Sequence, residues 1–470
     1  MKHIDLDSNT ITALSTPPGK GGVGVIRISG SQALLILSKI IEKWRGHPRI
    51  ISRIQPGHMY HSYILSSDKR IDECMVVYFK APNSYTGEDS AEISFHSNPF
   101  LAEEILDIIR DIDPETIRLA LPGEFTYRAY KNGKLDLIQA ESVNELINAN
   151  SRFFARMKFG SLEGKLSRIM MQLKEDLIQL GIAVETGIEF EEDQFLEGIT
   201  ITEKLDDTMK RIDSILSASR FNEQLNRGLN VVIVGKVNVG KSSLFNLLLM
   251  EERSITSSIP GTTRDFIREK IYLDGFPIEI TDVAGINRET KDDIEAQGIQ
   301  RSLDKVKNAD AVIFMVDASR HFDKTDKEIF YLIKKKKKII VANKLDILAP
   351  DSWENLNAFF EREKEEVFGI SVKDQINIEG VTQFLKQIIL ELKEASRDSE
   401  FTANKRQRQL LEELKQILRL IKKMVEAQSS HIEIIGEEIR SAISIIGQLM
   451  GEITPEEILN RIFSEFCIGK

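Results

Sequence analysis

The stretch GKVNVGKSS at residues 235–243 sets two glycines, a lysine and a serine at the spacing G-x-x-x-x-G-K-[ST]. That pattern suits a triphosphate. Glycines let successive backbone N–H groups turn toward an anion, the lysine neutralises β/γ oxygens, and the serine hydroxyl can ligate Mg²⁺. Asn238, Val239, Gly240, Lys241, Ser242 and Ser243 are thus candidates for a phosphate cradle, with Lys241 as the charge neutraliser and Ser242 as a Mg²⁺ ligand. A chance glycine-rich turn is the competing explanation. The apolar run NVVIVG before the loop and LFNLLLM after it, a strand and a helix, argue against chance.

Further along, VANKLD (341–346) closes the apolar run KIIVA. Asn343, Lys344 and Asp346 in that arrangement read guanine. A carboxylate at Asp346 accepts from two adjacent N–H groups of the base; adenine lacks that donor pair and would leave a buried carboxylate unpaired. A helix N-cap is the alternative for Asp346 taken alone. Ser371, Val372 and Lys373, after VFGI, fit a backbone turn that contacts the base.

Asp282, Val283, Ala284 and Gly285 (DVAG) suit the Mg²⁺-side aspartate and the amide that senses a γ-phosphate. The loop between, Ser257, Ser258, Ile259, Pro260 and Gly261 followed by Thr262 and Thr263, must supply a hydroxyl to Mg²⁺, and Thr263 is the assigned ligand. One part is missing. Ras-like and Gα proteins carry a glutamine just after the glycine to orient the attacking water; here the place holds Ile286.

These residues need a scaffold. The middle block alternates short apolar runs (NVVIVG, AVIFMVDAS, KIIVANK) with helical segments, the mark of a parallel sheet with crossover helices, and KIYLDGFPIEITD reads as a hairpin about Asp274-Gly275. Such sheets bind ligands at the carboxyl ends of their strands. Residues 1–125 mix strands with turns and one helix, FLAEEILDIIRDI. Residues 126–225 and 389–470 are helical, with apolar residues three and four apart, and they flank the block 226–388 as one helical domain split by an insertion. The expected fold is α/β and α+β multidomain: an N-terminal α/β domain, a helical domain and an inserted Ras-like P-loop GTPase domain.

A chain of 470 residues holds about two to four domains. With 41% hydrophobic and 29% charged residues it is an ordinary globular composition. A net charge of −10 excludes a bulk polyanion binder; nucleic acid would need a local basic face. Two cysteines, Cys74 and Cys467, argue for a reducing, cytoplasmic setting. The opening MKHIDLDSNTITALSTPP lacks the apolar core of a signal peptide, and no apolar run reaches the ~20 residues of a membrane span.

The motifs GKVNVGKSSLFN, GTTRD, DVAG and NKLD resemble the Era-like, translation-factor-related GTPases. Together with TPPGKGGVGVIRISG, PNSYTGED, PGEFTYRAYKNGKLDLIQAE and the tail IFSEFCIGK, the whole chain resembles the MnmE (TrmE) family of tRNA-modification GTPases. The resemblance implies a homodimer and a K⁺ ion that takes the place of the missing glutamine as a charge clamp, with Asn238, Ser257, Ile259 and Thr262 as K⁺ ligands. Glu295 matches the family's water-orienting glutamate; read without the family it is a solvated helix charge. Val237 and Val283 depart from the usual proline and threonine, and FHSN (95–98) departs from the usual GHGG.

The resemblance also implies that the N-terminal domain binds a tetrahydrofolate derivative (5-formyl- or methylene-) through Arg27, Glu92, Lys134 and Lys470. It implies a FAD-dependent partner, MnmG (GidA), in a heterotetramer or larger assembly that brings flavin and NADH to wobble-uridine modification of tRNA. Cys467 either takes part in that chemistry or packs as a small apolar residue. The basic run Lys405, Arg406, Arg408, Lys415, Arg419, Lys422 and Lys423 suits tRNA phosphate, though a solvated helix face is the favoured reading, and the lysines Lys334–Lys338 are expected to face solvent. The rivals to this function are a GTPase switch in ribosome assembly with flanking binding modules, and a folate-dependent transferase with a regulatory GTPase.

Overall fold

The computed structural model describes residues 9–44, 54–190, 198–252, 268–282, 305–395, 400–427 and 432–470. The chain forms two compact units, Met1–Asn148 with Lys158–Asp213 and Lys405–Lys470, and Ala149–Met157 with Ser214–Asn404.

The first unit holds a six-stranded sheet of β1 (Thr10–Leu14), β2 (Gly24–Ser29), β3 (Met59–Ser66), β4 (Lys69–Phe79), β5 (Ser90–Phe95) and β6 (Ile117–Leu119), in the order β3-β4-β5-β2-β1-β6. Only β1 and β6 pair in parallel. Helices Ala33–Ile40 and Pro99–Asp111 bury their apolar stripes with one face of this sheet, in a core that includes Ile26, Ile28, Ile36, Leu37, Ile93 and Ile105. Side chains alternate along a strand. With Ile26 and Ile28 inward, Arg27 projects from the opposite face, beside its cross-strand partner Glu92.

Helical segments complete this unit. Asp136 starts the helix Leu137–Ile147 with a reciprocal capping box to Gln139. Helix Lys405–Glu426 buries Leu411, Leu414, Leu418, Ile421 and Val425, a strict three-and-four spacing. Glu141 fixes its register: the carboxylate takes Arg406 at 2.6 and 3.0 Å and the Gln407 amide at 2.5 Å. Lys415 and Lys422 of the basic run pair with Asp213 and Asp206. Three of its cations therefore serve internal ion pairs. The last helix, Glu456–Ser464, lodges Phe463 edge-on against Tyr127, ring centroids 5.1 Å apart.

The second unit is a doubly wound sheet of β7 (Leu229–Gly235), β8 (Arg268–Leu273), β9 (Phe276–Asp282), β10 (Ala311–Asp317), β11 (Lys338–Asn343) and β12 (Val367–Gly369), in the order β12-β11-β10-β7-β9-β8. All pairs are parallel except β8 with β9, whose hairpin turns through Asp274 (φ 52°) and Gly275 (φ 74°). Val231 and Ile233 feed a core on one face of the sheet and Val232 and Val234 a core on the other. Lys334, Lys335 and Lys337 are exposed as expected, but Lys336 and Lys338 are partly covered. Lys334 pairs with Glu363, Lys337 with Glu391 and Lys338 with Glu365, and Lys336 donates to the Lys307 and Ala309 carbonyls. Among the described residues no helix is long and apolar enough to cross a membrane.

Candidate functional site

The loop 235–241 runs from β7 into the helix Lys241–Glu252, at the carboxyl edge of the parallel sheet. It turns through positive φ at Asn238 (61°) and Gly240 (105°). A Cβ at Gly240 would collide with the Asn343 amide, so only glycine lets the NKLD loop approach the phosphate loop this closely. Lys241 is 7% exposed, and its ammonium donates to the Gly235 and Lys236 carbonyls at 3.2 and 2.8 Å. The charge is thereby held over the loop before any ligand arrives. From the outer side, the Lys236 ammonium binds Asp323 at 2.6 Å and Asp326 at 3.3 Å, at the start of the helix Lys324–Ile333.

Asn343 joins the two halves of the site. It is 4% exposed; its Nδ2 donates to the Val239 carbonyl at 2.8 Å and its Oδ1 accepts from the Val372 N–H at 3.0 Å. The Asp346 carboxylate accepts from the buried Ser371 hydroxyl at 2.8 Å. Lys344 sits in the left-handed region (φ 74°), and its ammonium reaches Asp317 at 2.6 Å. Burial opposes ionisation of Asp317, but hydrogen bonds from Lys344 and Ser319 outweigh it and hold the carboxyl below the usual range. These loops enclose a cleft of about 940 Å³, lined by Asn238, Gly240, Lys241 and Ser242 on one side and by Lys344 and Asp346 on the other. Ser243, Val372 and Lys373 also line it, while Val239 is buried beneath.

Asp282 ends β9, with its Cα in register with Ile233 of β7. Ser257, Ser258, Ile259, Pro260, Gly261, Thr262, Thr263, Val283, Ala284, Gly285, Ile286 and Glu295 lie outside the described residues.

A second cluster lies on the other face of the first sheet, beside the buried group Ile11, Ala13 and Phe125. Arg27 Nε and Nη2 both donate to Glu92 Oε1, at 3.0 and 2.8 Å. The guanidinium also lies 5.4 Å from the Tyr85 ring centroid and 5.8 Å from that of Phe125. The tail docks here. The Ser15 hydroxyl donates to the Gly469 carbonyl at 3.1 Å, and the Gly123 N–H to the Cys467 carbonyl at 3.4 Å. Lys470 joins the group: burial and then the positive charge of Arg27 lower its pKa, against opposing fields from Glu92 and Cys467. Lys134 instead donates to the Pro82 carbonyl at 3.2 Å. Cys467 is exposed, which removes the reading of it as a buried packing residue; Cys74 is the buried one. Sequence reasoning missed Tyr85, Ser15 and Asp317. Only Asp317 carried a signal, an acid at the carboxyl end of a parallel strand.

Two family models span the chain. That for the GTP-binding protein TrmE N-terminus matches residues 10–134, and that for the MnmE helical domain matches residues 137–467. The tRNA modification GTPase MnmE of Aquifex aeolicus (strain VF5) is 38% identical over 466 residues, covering 98% of this chain and 99% of the relative. The chain belongs to the MnmE family. The MnmE relative from Caldicellulosiruptor saccharolyticus is 37% identical over 467 residues, covering 99% and 100%. Among solved structures, Aquifex aeolicus Era bound to GDP·AlF4⁻ shares 32% identity over 33% of this chain and 56% of its own, with a TM-score of 0.29. Of the departures from the MnmE pattern, Val237 is exposed on the phosphate loop and lines the cleft.

Proposed function

We propose that the protein is a K⁺-stimulated GTP hydrolase that acts in C5 modification of the tRNA wobble uridine. The observation that carries the hydrolase part is the Asn343 bridge, which ties phosphate loop and base-side turn into one cleft. Lys241 neutralises the β/γ oxygens, and Asp346, oriented by Ser371, accepts from the guanine edge. The donors present fit the two cations. Ser242 lines the cleft with a hydroxyl for Mg²⁺, joined by Thr263, and Asn238 offers an amide oxygen to K⁺, joined by Ser257, Ile259 and Thr262. Bound there, K⁺ would balance charge developing between the β- and γ-phosphates, as an arginine finger does. Glu295 orients the water that Ile286 cannot.

The tRNA part rests on the relatives' name and on the Arg27–Glu92–Lys470 cluster. Two cations and a carboxylate against an aromatic ring suit a tetrahydrofolate derivative: the carboxylate for a pterin's N–H groups, the cations for its glutamate tail. In this reading residues 1–125 bind folate and dimerise, 226–388 hydrolyse GTP, and 126–225 with 389–470 form the helical domain. The homodimer works in the cytoplasm with MnmG, which supplies FAD and NADH, in a heterotetramer or larger assembly.

Replacing Na⁺ with K⁺ is expected to raise GTP turnover several-fold; equal rates in both salts would overturn the cation assignment. Nucleoside analysis of tRNA from a deletion strain should show the wobble uridine unmodified at C5. Normal nucleosides, with the protein co-purifying with ribosomal subunits, would favour the ribosome-assembly switch instead.

A further inference from the structure

Lys344 carries an unusual set of constraints. Its backbone is left-handed, a conformation that strains a side-chain-bearing residue and persists only where the surroundings impose it. Its carbonyl and flanks are held by the turn Leu345–Ile347, and its side chain lines the 940 Å³ cleft next to Asp346. The far end of that side chain is fixed as well.

Asp317 does the fixing. It ends β10 directly opposite Asn343 of β11, and the Ala318 N–H donates to the Asn343 carbonyl at 2.8 Å, so the two strand ends are locked side by side. The carboxylate is 7% exposed and its oxygens are divided between partners. Oδ1 accepts from the Ser319 N–H at 3.0 Å and the Ser319 hydroxyl at 2.6 Å. Oδ2 accepts from the Lys344 ammonium at 2.6 Å, with Arg320 Nε at 3.6 Å on its outer side. Ser319 thus sets the plane of the carboxylate, and the carboxylate sets where the ammonium can go.

We infer that Asp317 is a positioning residue for guanine nucleotides: it anchors the Lys344 ammonium so that the methylene stem between backbone and anchor stands as a fixed wall of the base cleft. This rests on the assignment of that cleft to a guanine nucleotide. An unanchored lysine would have to give up its rotamer freedom each time a nucleotide bound, and that entropy would be subtracted from affinity. The hydrolytic machinery lies at the phosphate end, so the anchor acts on binding and leaves turnover at saturation alone.

The test uses the full-length protein and fluorescent GDP, with saturating GTP turnover as the second readout. Asp317→Asn is expected to raise the GDP Kd about tenfold while kcat stays within about twofold. Ser319→Ala, which removes the hydroxyl bond to the carboxylate but keeps the backbone N–H bond and the charge, should raise Kd by a smaller factor, and it keeps the inference testable if Asp317→Asn fails to fold. Lys344→Met retains most of the stem without the charge. If Asp317 acts through Lys344, the double variant Asp317→Asn/Lys344→Met should lose less than the product of the single losses. Multiplicative losses, a kcat that falls together with affinity, or an unchanged Kd in both Asp317→Asn and Ser319→Ala would overturn the inference. If the unsubstituted protein binds no guanine nucleotide, the assignment of the cleft itself has failed, a separate and recognisable result.

Discussion

Asp346 and Ser371 illustrate how the residue proposed to read guanine is prepared. The hydroxyl bond at 2.8 Å fixes one carboxylate oxygen before a base arrives, so recognition does not have to orient a loose side chain. Asp346→Asn exchanges an acceptor pair for a mixed donor and acceptor, and it is expected to cut the preference for GTP over other nucleotides by ~10-fold or more. Competition binding with GTP, ATP and XTP checks this; unchanged selectivity counts against the assignment. The two thiols differ in the same physical way. Burial pushes the Cys74 thiol from 9.0 up to about 12, while Cys467 is open to solvent. A maleimide or iodoacetamide reagent should therefore label Cys467 in the native protein and Cys74 only after unfolding. The sign of the pH effect follows. A folded thiol that keeps its proton contributes stability that is intact below pH 9.0 and is lost as pH rises toward about 12. Cys74→Ala should accordingly flatten the alkaline fall of the melting temperature relative to the unsubstituted protein.

At the scale of elements, the strand-loop-helix that carries GKVNVGKSS was legible because phosphate binding is local: consecutive backbone groups do the work and their residue types are visible in order. The hairpin at Asp274-Gly275 was legible for a similar reason, since a tight turn declares its chemistry. Asp317 was not legible as a partner of Lys344, 27 residues away, because only the parallel pairing of β10 with β11 brings them together. The favoured reading of the basic run at 405–423, a solvated helix face, holds for Lys405, Arg419 and Lys423, which are exposed. The run's type and spacing fit a phosphate-binding stripe, yet Arg406, Lys415 and Lys422 are spent on acids from other helices, which composition cannot reveal. Glu141 is the focus of one such contact. Glu141→Ala would strand Arg406 and Gln407 without their shared acceptor, with an expected loss of about 2–3 kcal/mol. Urea unfolding followed by helical circular dichroism should show the corresponding lower midpoint.

For the whole molecule, the cleft proposed for guanine and the Arg27–Glu92 cluster belong to different compact units, and the proposed function requires both. Removing Cys467–Lys470 takes away the docked tail while leaving the cleft's own residues untouched. GTP turnover should persist and the wobble-uridine modification should vanish, a split that kinetics on the purified variant and mass spectrometry of tRNA from the strain can read separately. The run Lys334–Lys338 has a last consequence for how the chain meets trypsin. A protease that recognises only lysine and arginine has five consecutive sites there. To be cut, however, a segment must enter the enzyme's groove as an extended strand, and four of these side chains are tethered to acids or carbonyls as the chain leads into β11. Digestion at the most lysine-rich point of the sequence is therefore expected to need local opening of the turn that leads into β11.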